Sequence, residues 1–491
     1  MKFIDFEKLA LQYKLVPVYE VITADLLTPV LAYLKIREKD KHCFLLESVE
    51  GKEALGRYSF IGKDPKKFFF NHGENITISE DGKETLIKEN LFDYVRREMN
   101  SRSFPIIEEL PFFTGGLVGY IGYENIGLIE NVVDFGEGKS ENPDSILGLY
   151  ETLIAFDHYK HQIILITNVS VESNTNFVSA FQRAKERLSE LRKELARPID
   201  FKSNFRLTGE VESSIESDEF KRLVHESKER ITEGDIFQIV LSKRFSSGYE
   251  GDLLNVYRAL RIMNPSPYMY FLEYGDMLTV IGTSPENLVK VKNRTVETMP
   301  IAGTRKRGRT PEEDKKLEMD LTGDPKEQAE HVMLLDLGRN DLGRVCEYNS
   351  ISVVQQMTVQ RYSHVMHMVS RVEGKLESKK DCVDALKACF PAGTVTGAPK
   401  IKAMQLIKGY EKQRRNIYAG AIGHIDFSGN LDMCIAIRTL FAGGGKIHWQ
   451  AGAGIVADSI PELEEKEIRN KSEVLYRALI YAGGIDEDTC N

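Results

Sequence analysis

The first two-fifths of the chain alternates short apolar runs with turn signals. "CFLLESV", "KKFFFN", "NITISE", "LIAFDHY" and "QIILITNVS" have the length and the β-branched and aromatic content of strands, and Asp81-Gly82 marks a turn. Near 175–195 the period becomes helical, in "NFVSAFQRAKERLSELRKEL". The polar segment "SNFRLTGEVESSIESDEF" (203–220) is the best boundary candidate and divides an N-terminal part, 1–205, from a second part, 215–485. Beyond it "EFKRLVHESKERITEG" predicts a helix and "IFQIVLSKRFSS" a strand. Further strands are predicted at "YMYFLEYG", "MLTVIGTS", "LVKVKN", "AGAIGHIDF", "LDMCIAIRTLFA" and "KIHWQAGAGIV". Several follow one another through tight turns, so the sheets are predicted to be antiparallel with helices packed outside, an α+β fold. No repeat of 20–50 residues interrupts this order.

Two helix starts stand out from the pattern. In "GDPKEQAEHVMLLDLGRNDLGR", Asp324 suits an N-cap and Pro325 the first helical position, where the missing N–H costs nothing. Glu327 and Glu330 follow, three apart on one face. In "DSIPELEEKEIRNKSEVLYRALIYA", Asp458 or Ser459 suits the cap, Pro461 begins the helix, and Glu464 and Glu467 repeat the spacing. Each pair alone is what a solvated first turn carries, since acids there favour the helix dipole. Together, beside glycine-rich strand ends, they form a candidate oxygen-donor set for a hard cation, Mg²⁺. Glu-x-x-His, which a di-iron site needs, occurs on neither helix. Mg²⁺ takes only one or two carboxylates when an anionic ligand completes its shell, so the substrate is expected to complete it.

Composition narrows the class. The 491 residues exceed one compact core, and 42% hydrophobic with 28% charged residues is ordinary for a globular protein. A formal charge of −9 argues against nucleic acid or an anionic membrane as partner. The basic run "RKRGR" (305–309) adjoins acids and reads as a mixed-charge loop. "MKFIDFEKLALQYKLVP" lacks a signal-peptide pattern, and no uncharged apolar run approaches a membrane span. The cysteines Cys43, Cys346, Cys382, Cys389, Cys434 and Cys490 show no CxxC spacing, which predicts reduced thiols and a cytoplasmic location.

Three more segments offer chemistry. "CFPAGTVTGAPKIKAMQLI" (389–407) lacks Walker spacing but places Gly393, Thr394 and Gly397 in a turn ahead of Pro399 at a helix start, which can present N–H groups to an anion or serve as a plain strand-to-helix turn. "WQAGAGIV" puts Gly452 and Gly454 on a strand, where glycine admits a ligand or another backbone closely. In "CIAIRTLF" strand period puts Arg438 on the face of Ala436, positioned to bind a carboxylate bidentately or to make a buried ion pair. "RYSHVMHMVS" carries His364 and His367.

Together "TSPENL", "MPIAGTRKRG", "AEHVMLLDLGRNDLGR", "RYSHVMHMVSRVEG", "PAGTVTGAPKIKAM", "YAGAIGHID", "DMCIAIRTL" and "WQAGAGIVADS" resemble the chorismate-utilising enzymes. The resemblance is dense from about 215 to 485 and reaches the N-terminal part through "LLES" (45–48), "GRYSFIG" (56–62) and "FTGGLVGYIGYE" (113–124). It implies a sandwich of two antiparallel sheets flanked by helices. It implies Mg²⁺ over the chorismate carboxylate, with Glu330 and Glu467 as direct ligands and Glu327 and Glu464 supporting. It implies substrate contacts at Gly303, Thr304, Tyr418, Arg438, Gly452, Ala453 and Gly454. Glu286 matches the acid that protonates the departing 4-hydroxyl, and His367 and Thr394 match residues beside the ring.

Two positions distinguish branches of the family. Members that add water at C2 carry a base lysine after "GDIF", where this chain has Gln238. Members making 4-amino-4-deoxychorismate carry a nucleophilic lysine in "PIKGT", where this chain has Ala302. Both absences favour the anthranilate-forming branch, with 4-amino-4-deoxychorismate formation as the alternative and a non-catalytic chorismate-binding regulator as a reading of another class. No Cys-His-Glu glutaminase arrangement is evident, so the resemblance implies ammonia from a separate glutamine amidotransferase subunit, in a heterotetramer. "LLES" and "NPSPYMYF" (264–271) resemble elements that bind feedback-inhibiting L-tryptophan, through Glu47, Ser48, Pro267, Tyr268 and Met269.

Overall fold

A computed structural model describes residues 1–38, 41–48, 56–100, 103–133, 142–199, 201, 203–362 and 365–485. Among these, two large sheets stack face to face, one of 13 strands and one of 12. Pairing along both is antiparallel, as the short turns predict. The parts on either side of 203–220 share both sheets. In the first, His42–Glu47 pairs with Tyr268–Tyr274. In the second, Gly116–Ile121 pairs with Ala421–Asp426.

Register explains the layers. Phe44, Leu272, Val280 and Phe441 stand opposite one another across four adjacent strands. They are buried between the sheets with Tyr120, Ile146 and Ile422 of the second sheet. Their chain neighbours Leu45, Phe271, Ile281 and Leu440 form the parallel row one residue out of phase, and the row continues to Trp449. Successive side chains on a strand point to opposite faces, so this second row lies under the outer helices. Those are Pro29–Ile36, Phe177–Ala196, Leu254–Met263 and Pro461–Ala482. The back of the second sheet, with Leu117, Leu147, Val291 and Met433, is covered by Leu91–Asn100, Pro325–Gly343 and Cys382–Cys389. Strands buried on both faces read as continuous apolar runs, as in "QIILIT" of Gln162–Ser170.

Three expectations about local structure are corrected. The strand predicted over "LDMCIAIRTLFA" is two strands, Leu431–Ile435 in the second sheet and Thr439–Gly443 in the first. The chain crosses between sheets at 436–438, and Arg438 takes φ +50°, so strand period does not set its direction. At the second acidic helix neither Asp458 nor Ser459 caps. Ile460 holds the N-cap position without a side-chain bond, and the Ser459 hydroxyl accepts from the Val456 N–H at 3.0 Å. Pro399 likewise sits at the N-cap of Lys400–Tyr410, one residue earlier than expected.

Candidate active site

The site forms where the chain crosses between sheets. One crossing, Pro285–Glu286, links Thr279–Ser284 to Asn287–Lys292. The other is 436–438, and the two are bonded side by side: the Thr283 N–H donates to the Arg438 carbonyl at 3.2 Å, and the Ile435 N–H to the Glu286 carbonyl at 3.0 Å. Each side chain thus leaves a ladder end, where no strand partner occupies its space. Glu286 is 8% exposed. Burial pushes its carboxyl up to about 7, while the Thr394 hydroxyl, Lys471 and Arg438 pull the other way. A carboxyl so placed keeps a proton near neutrality and can donate it.

His367 stands on Val365–Lys375 opposite Thr304 of Ile301–Lys306, and register slips between Ala302 and Thr304. The slip is a bulge in which Gly303 adopts φ +66°, a conformation that favours glycine. His367 Nδ1 lies 2.9 Å from the Thr304 hydroxyl and 3.3 Å from the Gly303 carbonyl. A carbonyl can only accept, so Nδ1 carries the ring proton. Burial first, then Arg438, lowers the imidazole to about 4, and His367 is neutral at physiological pH. His364 lies outside the described residues.

The first acidic helix starts as read: the Asp324 carboxylate accepts from the Lys326 N–H at 2.9 Å and the Glu327 N–H at 3.4 Å, with Pro325 at the first position. The two acidic starts face each other. Glu330 is raised, by burial first, and then by Glu327, Glu467 and Glu464, against the pull of Lys326. Glu464 is also raised, chiefly by burial. Among the described residues no three carboxylate, histidine or cysteine side chains close on a single point in the manner of a complete metal cage. Glu327 is held by Arg305 at 2.8 Å, and Arg305 also bonds Asp320 and Asp324, so "RKRGR" is an ion-pair hub. Lys471 bonds Glu467 at 2.7 Å and donates to the Gly452 carbonyl at 3.0 Å. Sequence reading passed over Lys471. The signal was the Glu467–Lys471 spacing of four on one helix.

Gly452 and Gly454 lie on Lys446–Ile455, paired with Ser242 and Val240. A Cβ at Gly452 would stand 2.5 Å from the Tyr418 hydroxyl, and one at Gly454 2.6 Å from Gln238 Nε2. These glycines admit the Tyr418 side chain from the turn before Ala421–Asp426 and the Gln238 side chain from the paired strand. Ala453 faces the other way, buried with Leu241, Phe220 and Ile455, and offers only its backbone to the cleft. Beneath Tyr418, the buried Arg415 guanidinium donates to the Val395 and Val240 carbonyls at 2.7 Å each and pairs with Glu411. It ties the Gly393–Val395 turn to the strand carrying Gln238. No sequence motif pointed to Arg415.

The second predicted set surrounds a separate cavity, partly open to solvent, between the sheets. Ser48, Pro267, Tyr268 and Met269 line it with Phe60, Phe112, His424, Lys290 and Asp432. Glu47 also borders it, but its carboxylate accepts from the Tyr257 hydroxyl at 2.5 Å and from Arg261 Nε at 3.1 Å, under an outer helix. A second carboxylate of the lining, Asp432, accepts from the Tyr268 hydroxyl at 2.9 Å and pairs with Lys290 at 2.8 Å. The described cysteines are buried free thiols, and Cys490 lies outside the described residues.

A two-sheet sandwich with a buried acid, a neutral histidine and facing acidic helix starts defines a class of enzymes acting on cyclic carboxylates. The chain belongs to the chorismate binding enzyme family, which matches residues 41–477. It is 43% identical over 484 residues to anthranilate synthase component 1 of Acetivibrio thermocellus, covering 97% of this chain and 98% of the relative. It is 42% identical over 496 residues to that of Aquifex aeolicus, covering 99% and 98%. The crystal structure of anthranilate synthase component I from Streptococcus pneumoniae superposes with a TM-score of 0.76 at 36% identity, covering 92% and 98% of the two chains. The menaquinone-specific isochorismate synthase MenF of Escherichia coli shares the fold, with a TM-score of 0.70 at 19% identity over 97% and 98%.

Proposed function

We propose that the chain is the chorismate-aminating component of an anthranilate synthase. Ammonia adds at C2 of chorismate, the 4-hydroxyl leaves as water, and elimination of pyruvate yields anthranilate. The observation that carries this reading is a buried Glu286, its carboxyl pushed up to about 7, in a chain that has Gln238 and Ala302 where other branches have lysines. The acid can meet the departing oxygen. Gln238, beside Gly454, cannot deprotonate water, and Ala302 cannot capture C2 as a lysine would.

The proton inventory closes. Glu286 gives its proton to the hydroxyl, and the new ammonium at C2 surrenders one that restores it. The C2 hydrogen then leaves as a proton as the C3–O bond breaks, the departing enolpyruvate takes up a proton at its methylene carbon to become pyruvate, and the ring is aromatic. Neutral His367, its plane held by Gly303 and Thr304, serves as a hydrogen-bonding wall to the ring. Arg438 and Lys471 supply positive charge for carboxylates.

Mg²⁺ fits the facing helix starts, because Glu330 is raised in part by acids that a cation would neutralise. Glu330 and Glu467 would hold it, with Glu327 and Glu464 behind them, and two carboxylates suffice when water and substrate complete the shell. When bound, Mg²⁺ supplies charge neutralisation for the C1 carboxylate and its developing charge.

Ammonia would come from a glutamine amidotransferase partner, in a heterotetramer. Regulation by L-tryptophan is proposed at the second cavity, with Glu47 and Ser48 at the ammonium end and Pro267 and Met269 facing the indole. The cytoplasm is the proposed location. No helix among the described residues is long and apolar enough to cross a membrane.

The test is product identification from the purified chain with chorismate, Mg²⁺ and ammonium salts. Fluorescent anthranilate, identified by chromatography, is expected. Release of 4-amino-4-deoxychorismate as the main product would overturn the assignment.

A further inference from the structure

Glu286 is followed by a second irregularity. The strand Asn287–Lys292 pairs with Leu431–Ile435, but register slips between Asn287 and Val289. A bulge leaves the ladder locally unpaired, and here it adjoins the acid. Without another restraint, the segment bearing Glu286 could shift against its partner strand. The restraint is the Asn287 side chain, 6% exposed. Its Nδ2 donates to the Tyr268 hydroxyl at 2.9 Å and, at 3.4 Å, to the Met433 carbonyl. Tyr268 in turn donates to Asp432 at 2.9 Å.

Tyr268 and Asp432 are walls of the second cavity. Asn287 lines a different cavity, shared with Glu286, Thr394 and Gly393, and its Oδ1 is buried there without a hydrogen-bond partner. One amide therefore bridges the wall of one cavity and the chamber of the acid. The route needs no motion of whole layers, because Tyr268, Asn287 and Glu286 are linked by one hydrogen bond and one peptide bond.

We propose that Asn287 is a positioning residue that locks the bulge bearing Glu286 to Tyr268, so that a ligand moving the Tyr268 ring in the second cavity weakens the acid. The proposal rests on the acid role given to Glu286, and its regulatory half on tryptophan as occupant of the second cavity. A two-state element biased by both sites is what coupling requires. Here it is the bonded and released states of the Asn287–Tyr268 pair.

The test is a double-mutant cycle on ammonia-dependent turnover, with no ligand in the second cavity. Tyr268→Phe keeps the ring and removes the hydroxyl, and Asn287→Ala removes the amide. Each is expected to lower kcat about tenfold, a part of what a positioned acid contributes, with KM for chorismate nearly unchanged. The double variant should be no worse than the poorer single, since both break the Asn287–Tyr268 bond on which the restraint depends. Each should also displace the pH-rate limb belonging to Glu286, whose charged and polar neighbours Lys471, Arg438 and Thr394 are untouched. Additive losses, or an unmoved limb, would overturn the link. L-tryptophan is then added: in Tyr268→Phe it should still raise the melting temperature while inhibiting less than in wild type. Full inhibition of that variant refutes the link. If tryptophan neither binds nor inhibits the wild type, the regulatory reading and the regulatory half of the link fail together, while the cycle still decides the positioning role.

Discussion

At Glu286 the folded chain holds a proton that an unfolded glutamate has already lost. Its carboxyl sits near 7 because burial penalises the charge, whereas the ordinary value is 4.5. The folded state therefore binds the extra proton between those values. The group's contribution to stability is fully present below 4.5 and is lost as pH rises through 7. Activity through the protonated acid should fall over the same limb, as a pH-rate profile of kcat/KM will show. Glu286→Gln should keep chorismate binding and lose about 10²-fold or more in kcat. The same variant should flatten the decline in melting temperature from pH 5 to 8. Normal turnover in it would remove Glu286 from the acid role. Gly303 makes a second prediction at this scale. At φ +66°, with Leu321 Cδ1 2.7 Å and Glu327 Oε2 2.8 Å from any added Cβ, Gly303→Ala should cost about 1–3 kcal/mol in denaturant unfolding.

Among elements, the two acidic helices carry the metal prediction. Glu330→Gln or Glu467→Gln should abolish Mg²⁺-dependent turnover with circular dichroism unchanged, because each removes a charged donor from a pair. Unaltered Mg²⁺ dependence in either would show that both helix starts are solvated decoration. The glycine strand carries another. Gly452→Ala puts a Cβ 2.5 Å from the Tyr418 hydroxyl, so the ring must shift. A rise in KM for chorismate of about tenfold is expected, measured with ammonium as the nitrogen source. An unchanged KM would place chorismate away from this strand.

For the whole molecule, sharing both sheets between the N-terminal and C-terminal parts makes the interior continuous across the 203–220 segment. Strand His42–Glu47, at the second cavity, pairs directly with Tyr268–Tyr274. A ligand there bears on both parts at once. L-tryptophan should therefore inhibit and raise the melting temperature, and Ser48→Phe or Met269→Thr should relieve inhibition while sparing ammonia-dependent activity. Inhibition curves against chorismate decide it; a wild type indifferent to tryptophan has no such site.

Much of this was legible before folding. Short apolar runs such as "QIILITNVS" and "YMYFLEYG" marked strands, because β-branched and aromatic side chains suit an extended, pleated surface. Asp324 and Pro325 marked a helix start, because a cap is chemistry within one turn. Likewise the quoted motifs, from "TSPENL" to "WQAGAGIVADS", pointed to the family. What lay beyond reading was set by partners distant in the chain. The strand through Arg438 broke because 436–438 must cross between sheets, a demand no local pattern states. The bonds of the Glu47 carboxylate to Tyr257 and Arg261 could not be read from "LLES", because both partners lie on a helix remote in the chain. Arg415 and Lys471 carried no motif, since their work is to bond backbone carbonyls of remote strands. The sequence alone determined period, caps and the inventory of chemistry, all local consequences of side-chain shape and backbone hydrogen bonding. The tertiary structure decided which face each group meets and what desolvates it, because burial and charge act through space and not along the chain.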